Sequence, residues 1–182
     1  ESGMVSVTGE PGSSGTRAGV SIADLTAGMN AAYGVMLALR HKERTGEGQQ
    51  IDISMLEGQL SLLTPAVGNY FANGEIPRPM GNAYSVVVPY QTFHTKTKDL
   101  ALAIAGEKLW RIFCPVIGCP ELADDPRYVS TQLRSTNRDT LIRRLQEVFL
   151  TRTYEEWEKL LLANDIPVGA INNLEQVIAH PQ

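Results

Sequence analysis

The sequence predicts an α/β unit followed by a small α+β unit, and three observations carry that reading. A long helical period runs from Leu25 to Arg44 and leads into the alternating segment Gln49 to Met55. A stretch punctuated by Gly, Pro and Asn, residues 72–83, then interrupts the chain. Beyond it, short strand-like runs interleave with amphipathic helical ones. The expected organisation is therefore 1–71 as one domain portion, 72–83 as a linker and 84–182 as the other.

The first nineteen residues are rich in Gly, Ser and Pro, and GEPGSSG reads as a loop. It lacks the GxxxxGK[ST] spacing of a phosphate-binding loop, so residues 10–15 read as a plain connection. From Leu25 to Arg44 there is no Pro, and Leu25, Met29, Ala32, Tyr33, Met36, Leu37 and Leu39 recur at helical spacing, predicting one buried face. Gly46 and Gly48 stop the helix, while Arg40, His41, Lys42 and Arg44 suit its negative end as a solvated, basic last turn. Small residues at Ala27, Gly28, Ala31, Ala32 and Gly34 leave room for another backbone or a ligand.

Gln49 to Met55 alternates Ile51, Ile53 and Met55 with polar residues and predicts a strand; a strand directly after a helix suggests a parallel sheet. Leu56 to Tyr70 reads as a second helix broken near Pro65, with Asp52 and Glu57 as solvated or capping acids. Past the linker, Ser85 to Phe93 predicts a strand with an edge or bulge at Pro89, and Leu100 to Ala105 its antiparallel partner. Helices are expected over Glu107 to Ile117, Ser135 to Phe149 and Thr153 to Asn164. The second places Leu141, Ile142, Leu145, Val148 and Phe149 on one face and Arg138, Arg143 and Arg144 outside; the third opens on a Thr153/Glu156 capping box. Val168 to Ile171 reads as a short strand and Asn173 to Ala179 as a last helical turn.

Composition narrows the function classes. Hydrophobic residues make up 43% and charged ones 20%, as in ordinary globular proteins, and a net charge of −4 argues against a nucleic-acid partner. No apolar run reads as long enough to span a bilayer, so no membrane partner is expected. Cys114 and Cys119 read as buried free thiols, and two cysteines alone make no metal site. His41, His94 and His180 are scattered without ligand spacing, so no metal is expected.

Asp24, at the front edge of the long helix, has two readings. Asp is a preferred N-cap residue, and a carboxylate at a helix N-terminus is also kept ionised, available as nucleophile or base. Spacing alone leaves both open.

Seven pieces in one order bear on that choice: SVTGEPG at Ser6, VSIADLTAG at Val20, RTGEGQQIDISMLEG at Arg44, VPYQTF at Val88, PELADDPRY at Pro120, NRDTLI at Asn137 and the closing IPVGAINNLEQVIAHPQ. Together they resemble the class III CoA-transferases, the CaiB/BaiF family, over almost the whole chain. The resemblance implies the C-terminal part of a Rossmann-like large domain followed by the small α+β domain, with the sequence as an internal fragment of a longer enzyme. It implies Asp24 as the catalytic nucleophile, an acyl-CoA and a free carboxylic acid as substrates, and no permanently bound cofactor, the coenzyme A thioester itself being substrate. It further implies an interlocked homodimer, and the reading of Cys114 and Cys119 as free thiols suits a reducing, cytoplasmic location.

Gly81 and Asn82 fall where the family presents a glycine loop over the substrate, an alternative to a simple interdomain turn. Tyr84 and Gln91 read as strand-packing residues rather than acyl contacts. Most CoA-binding residues would precede residue 1. The acyl group expected is a dicarboxylate such as succinate, or a related branched acid. Two rival readings stand beside the transferase: the 2-methylacyl-CoA racemase branch of the same family, and a fragment acting only as a folding or interaction module. Leu25-Thr26-Ala27, where racemases tend to carry glycines, favours the transferase.

Overall fold

A computed structural model of the chain describes residues 2–181. The chain divides into two compact units, Glu1–Gly81 and Asn82–Gln182. The first is helical: α1 (Met4–Val7), α2 (Ile22–Thr45), α3 (Met55–Leu62) and α4 (Thr64–Asn73). The division falls inside the sequence-predicted 72–83 stretch, whose first two residues complete α4.

α2 starts three residues earlier than its period predicts and ends on Gly46, whose φ of 80° and N–H to the Lys42 carbonyl close the helix in the left-handed conformation. The N-cap is Ser21, not Asp24; Asp24 sits in the first turn, where its charge faces the positive end of the helix dipole. The predicted buried face of α2 is corrected. Within the first unit only Thr26 of this helix is buried, and Leu25, Met29, Tyr33, Met36, Leu37 and Leu39 are exposed. Periodicity reports which side a helix can bury, not whether the same segment supplies the cover.

By length and composition α2 could also cross a membrane, with 24 residues and a mean hydropathy of 1.3 over its most apolar stretch. That corrects the expectation that no run was long enough. At 1.5 Å per residue it spans about 36 Å. Asp24 in its first turn and the Arg40–Arg44 cluster in its last leave the apolar part bracketed by charge.

The predicted strand at Gln49 to Met55 is also corrected. Residues 47–54 form neither helix nor strand, and the first unit holds no strand among its described residues. Alternation makes a strand only where a second strand supplies the ladder bonds. Instead Ile51 packs onto Gly34 of α2, where an added Cβ would lie 2.9 Å from Ile51 Cγ2. Gly58 of α3 similarly faces Thr26, where an added Cβ would lie 3.2 Å from Thr26 Cγ2, so α2 and α3 pack through small residues. Ser54 caps α3 by accepting from the Glu57 N–H at 3.2 Å, and the helix breaks at Leu63 ahead of Pro65, as Pro65 predicts.

The second unit carries the hydrophobic core. Its sheet is antiparallel, in the order β1 (Tyr90–Phe93), β2 (Leu100–Ala103), β3 (Val168–Ala170), with Phe93 opposite Leu100 and Leu102 opposite Val168. Residues 85–89 of the predicted first strand do not join the ladder; Val88-Pro89 is cis, and a proline offers no N–H for pairing. Helices α5 (Gly106–Val116), α6 (Thr131–Thr136), α7 (Arg138–Phe149), α8 (Tyr154–Leu162) and α9 (Leu174–Ile178) complete the unit, with a 3-10 turn over Pro120–Ala123.

Leu141, Leu145 and Phe149 of α7 are buried as the period predicts, joined by Trp110, Phe113 and Trp157. Phe149 sits at the centre, 4.8 Å from the Phe93 ring and 5.1 Å from Trp157, whose Nε1 donates to the Phe149 carbonyl at 2.9 Å. The Thr153/Glu156 capping box forms in both directions. Cys114 and Cys119 are free and buried, and burial pushes the Cys114 thiol up to about 12.

Arg138, expected outside, is not simply solvated. Its Nη2 donates to the carbonyls of Tyr84 at 2.8 Å and Ser85 at 3.1 Å, and its Nη1 is shielded without a partner. Arg134 goes further and is fully buried. Its Nε donates to the Val88 carbonyl at 2.8 Å, Nη1 to the Tyr128 carbonyl at 2.9 Å and Nη2 to Thr131 Oγ1 at 3.0 Å, with the guanidinium 4.9 Å over the Trp110 ring.

Candidate active site

The first unit contains a cavity of about 550 Å³ at the start of α2, within the range of roughly 300–1,000 Å³ usual for small-molecule sites. Its floor is the first turn of α2, Ser21 to Asp24, and its walls come from the α1 segment, the loop before α2 and Gln59 of α3. Ser2 Oγ donates to Gln59 Oε1 at 3.1 Å, which ties one wall to the other. Ser21 makes no side-chain cap bond, so no capping side chain occupies the N–H groups of the first turn, although that of Ile22 donates to the Val20 carbonyl at 2.9 Å.

Two charged side chains line the cavity: Asp24 and Arg17. Both are exposed, and Arg17 forms no ion pair among the described residues. The chain just before Arg17 is held rigidly against α1. Thr16 N donates to the Thr8 carbonyl at 2.6 Å. Gly15, at φ 103°, lies so close that an added Cβ would stand 2.1 Å from the Val5 carbonyl oxygen, which only glycine avoids. An ionised carboxylate, uncapped helix N–H groups and a guanidinium thus share one concavity. The carboxylate can attack a carbonyl, and the helix N–H groups can hold the oxyanion that results.

The other residues singled out in the sequence lie elsewhere. Gly81 belongs to the first unit but not to the lining of this cavity. Its N–H donates to the Gly9 carbonyl at 2.7 Å, its φ is +61°, and an added Cβ would stand 3.2 Å from Glu10 Oε2. Asn82 opens the second unit, its Nδ2 donating to Thr92 Oγ1 of β1 at 3.1 Å. Tyr84 stacks at 5.2 Å on Tyr90, and Gln91 pairs with Leu102 in the sheet.

His94 Nδ1 lies 2.7 Å from Asp99 Oδ1 on the exposed β1–β2 connection. No cluster of His, Cys, Asp and Glu among the described residues has the makings of a metal site. Sequence reasoning passed over Arg17 because the loop around it has linker composition. The available signal was a lone cation seven residues before Asp24, between Gly15 and Gly19.

Comparison with known proteins bears on the family of the chain. The profile of CoA-transferase family III matches residues 1–182. The chain is 34% identical over 186 residues to the succinate–glutarate CoA-transferase of Agrobacterium fabrum, covering all of this chain and 45% of that protein. It is 33% identical over 181 residues to the human succinyl-CoA:glutarate CoA-transferase, covering all of this chain and 42% of that protein. It is 33% identical to the acetyl-CoA:oxalate CoA-transferase of Acetobacter aceti, covering all of this chain and 47% of that protein.

Among solved structures, a CaiB/BaiF family protein from Brucella suis superposes with a TM-score of 0.80 at 30% identity, covering all of this chain and 48% of its own. The chain spans less than half the length of each of these relatives. With the profile matched from end to end and the fold shared, the chain belongs to CoA-transferase family III.

Proposed function

We propose that this chain is part of an acyl-CoA:carboxylate CoA-transferase in which Asp24 is the nucleophile. The observation that carries the proposal is the placement of Asp24, exposed in the first turn of α2 and lining the cavity with uncapped N–H groups beside it. The Asp24 carboxylate attacks the thioester carbonyl; the C–S bond breaks, CoA leaves as thiolate, and a mixed anhydride remains. The thiolate attacks the aspartyl carbonyl of that anhydride, releasing the first acid and forming an aspartyl-CoA thioester. The incoming carboxylate attacks the aspartyl carbonyl, again expelling thiolate, which then takes the new acyl group and regenerates Asp24. A carboxylate suits this cycle because it is ionised near neutrality and becomes a good leaving group once acylated.

Succinyl-CoA is the proposed donor. Each of the three transferases compared above is named for a dicarboxylic acid: succinate and glutarate for two, oxalate for the third. Gly81 and Asn82 are proposed to approach the substrate in the full-length enzyme, of which residues 1–71 would form part of the large domain. Coenzyme A enters as substrate, with no permanently bound cofactor. A cytoplasmic location fits the free Cys114 and Cys119.

The exposed apolar length of α2 supports the interlocked homodimer, because such a face needs a cover that the first unit lacks. Light scattering of the full-length protein is expected to return the mass of two chains; the mass of one would overturn the dimer.

The mechanism is tested by incubating the full-length protein with succinyl-CoA, quenching with hydroxylamine and mapping peptides by mass spectrometry. A hydroxamate on the peptide carrying Asp24 is the expected result. An unmodified Asp24 peptide under conditions of active exchange removes it from the mechanism.

A further inference from the structure

We infer that Arg17 binds the distal carboxylate of a dicarboxylic acyl group, which makes it the residue that selects dicarboxylyl over monocarboxylyl thioesters. The inference rests on the reading of Asp24 as nucleophile. The cavity is lined by one carboxylate and one guanidinium, and Arg17 is not engaged by any acid of the described chain. A thioester that carries a second carboxylate must bring that charge into the space where Asp24 is already ionised. Two like charges at such range repel, and the repulsion grows as water is excluded. A cation in the same cavity removes the penalty, and Arg17 is the one that lines it. Guanidinium is also the group best shaped for a carboxylate, since its planar fork donates two parallel N–H bonds.

The position of Arg17 is prepared by its neighbours. Gly15 is wedged against the Val5 carbonyl and Thr16 is bonded to Thr8, so the backbone that presents the side chain is anchored on both counts. Ser6, Ser14 and Ser21 add hydroxyl groups to the same lining, while Val5, Val20 and Ile22 provide apolar surface for a short methylene chain. A monocarboxylyl thioester of equal length has nothing to offer the guanidinium.

The test uses the full-length protein with two donors of matched length, succinyl-CoA and butyryl-CoA. Arg17→Gln is expected to raise KM for succinyl-CoA about tenfold, the scale of one charge-assisted hydrogen bond, and to leave KM for butyryl-CoA unchanged. Arg17→Lys is expected to recover part of the loss. An equal rise for both donors would assign the guanidinium to the CoA moiety or to folding and overturn the inference, as would no change for either.

Calorimetric titration with succinate and butyrate decides the point without turnover. The wild type is expected to prefer succinate and Arg17→Gln to lose that preference. A wild type that fails to exchange CoA but keeps an Arg17-dependent preference for succinate would overturn the transferase mechanism alone. A wild type without that preference overturns the role of Arg17.

Discussion

Asp24→Ala in the full-length protein is expected to lower CoA exchange by on the order of a thousandfold or more, the scale seen when a covalent nucleophile is removed. No neighbouring side chain can take over its part. Arg17 is the other charged group in the cavity lining, and the hydroxyls of Ser6, Ser14 and Ser21 would give esters too stable for rapid exchange with thiolate. The fold should barely register the change. Asp24 is exposed, and Ser21 rather than Asp24 is the N-cap, so what is lost is a favourable charge at the helix start, worth at most about 1 kcal/mol. Activity and thermal melting measured on the same preparation therefore separate chemistry from folding. Retained exchange, with an unchanged melt, would move the nucleophile elsewhere.

Arg134→Leu is expected to destabilise the second unit by about 3 kcal/mol. Three donors would vanish from a fully buried site, leaving the carbonyls of Val88 and Tyr128 without those bonds and the Thr131 hydroxyl with its donation to Glu107 alone. Each buried acceptor left unsatisfied costs roughly 1–3 kcal/mol. Part of the loss is offset, because burial disfavours the guanidinium charge and no carboxylate among the described residues forms an ion pair with it. For a domain of this size the net figure corresponds to a fall in melting temperature of roughly 10–20 °C.

Arg134→Lys should recover little, since a single ammonium cannot reach three acceptors in the fork geometry. Near-ultraviolet circular dichroism, reporting on Trp110 beneath the guanidinium, follows the transition. An unchanged melting temperature would mean that desolvation of the charge fully cancels its three bonds.

Much of the second unit was legible in the sequence because its elements report locally. The α7 period placed Leu141, Leu145 and Phe149 inside. Thr153 and Glu156 announced the start of α8, and the β1–β2 pairing followed from two short apolar runs joined by a polar turn. Local signals fail where a long-range partner decides. Arg134 and Arg138 look like solvated helix charges until the irregular chain at Tyr84–Val88 brings carbonyls to them. In the first unit Ile51 and Ile53 alternate like a strand, yet no second strand lies beside them, and the segment packs on Gly34 instead.

The candidate site divides the same way. The sequence by itself determined the family, the helix and the carboxylate at its front, because seven ordered motifs and one helical period are properties of the chain alone. Only the tertiary structure decided that Asp24 is an exposed first-turn residue rather than the cap, and that Arg17 shares its cavity. It also left Gly81 on the Gly9–Pro11 turn, outside that cavity. Which side chains share a concavity depends on how α1 and the loop before α2 fold back on the helix, held by the Gly15–Val5 contact and the Thr16–Thr8 bond. Contacts of that kind join residues by distance in space, and no periodicity along the chain encodes them.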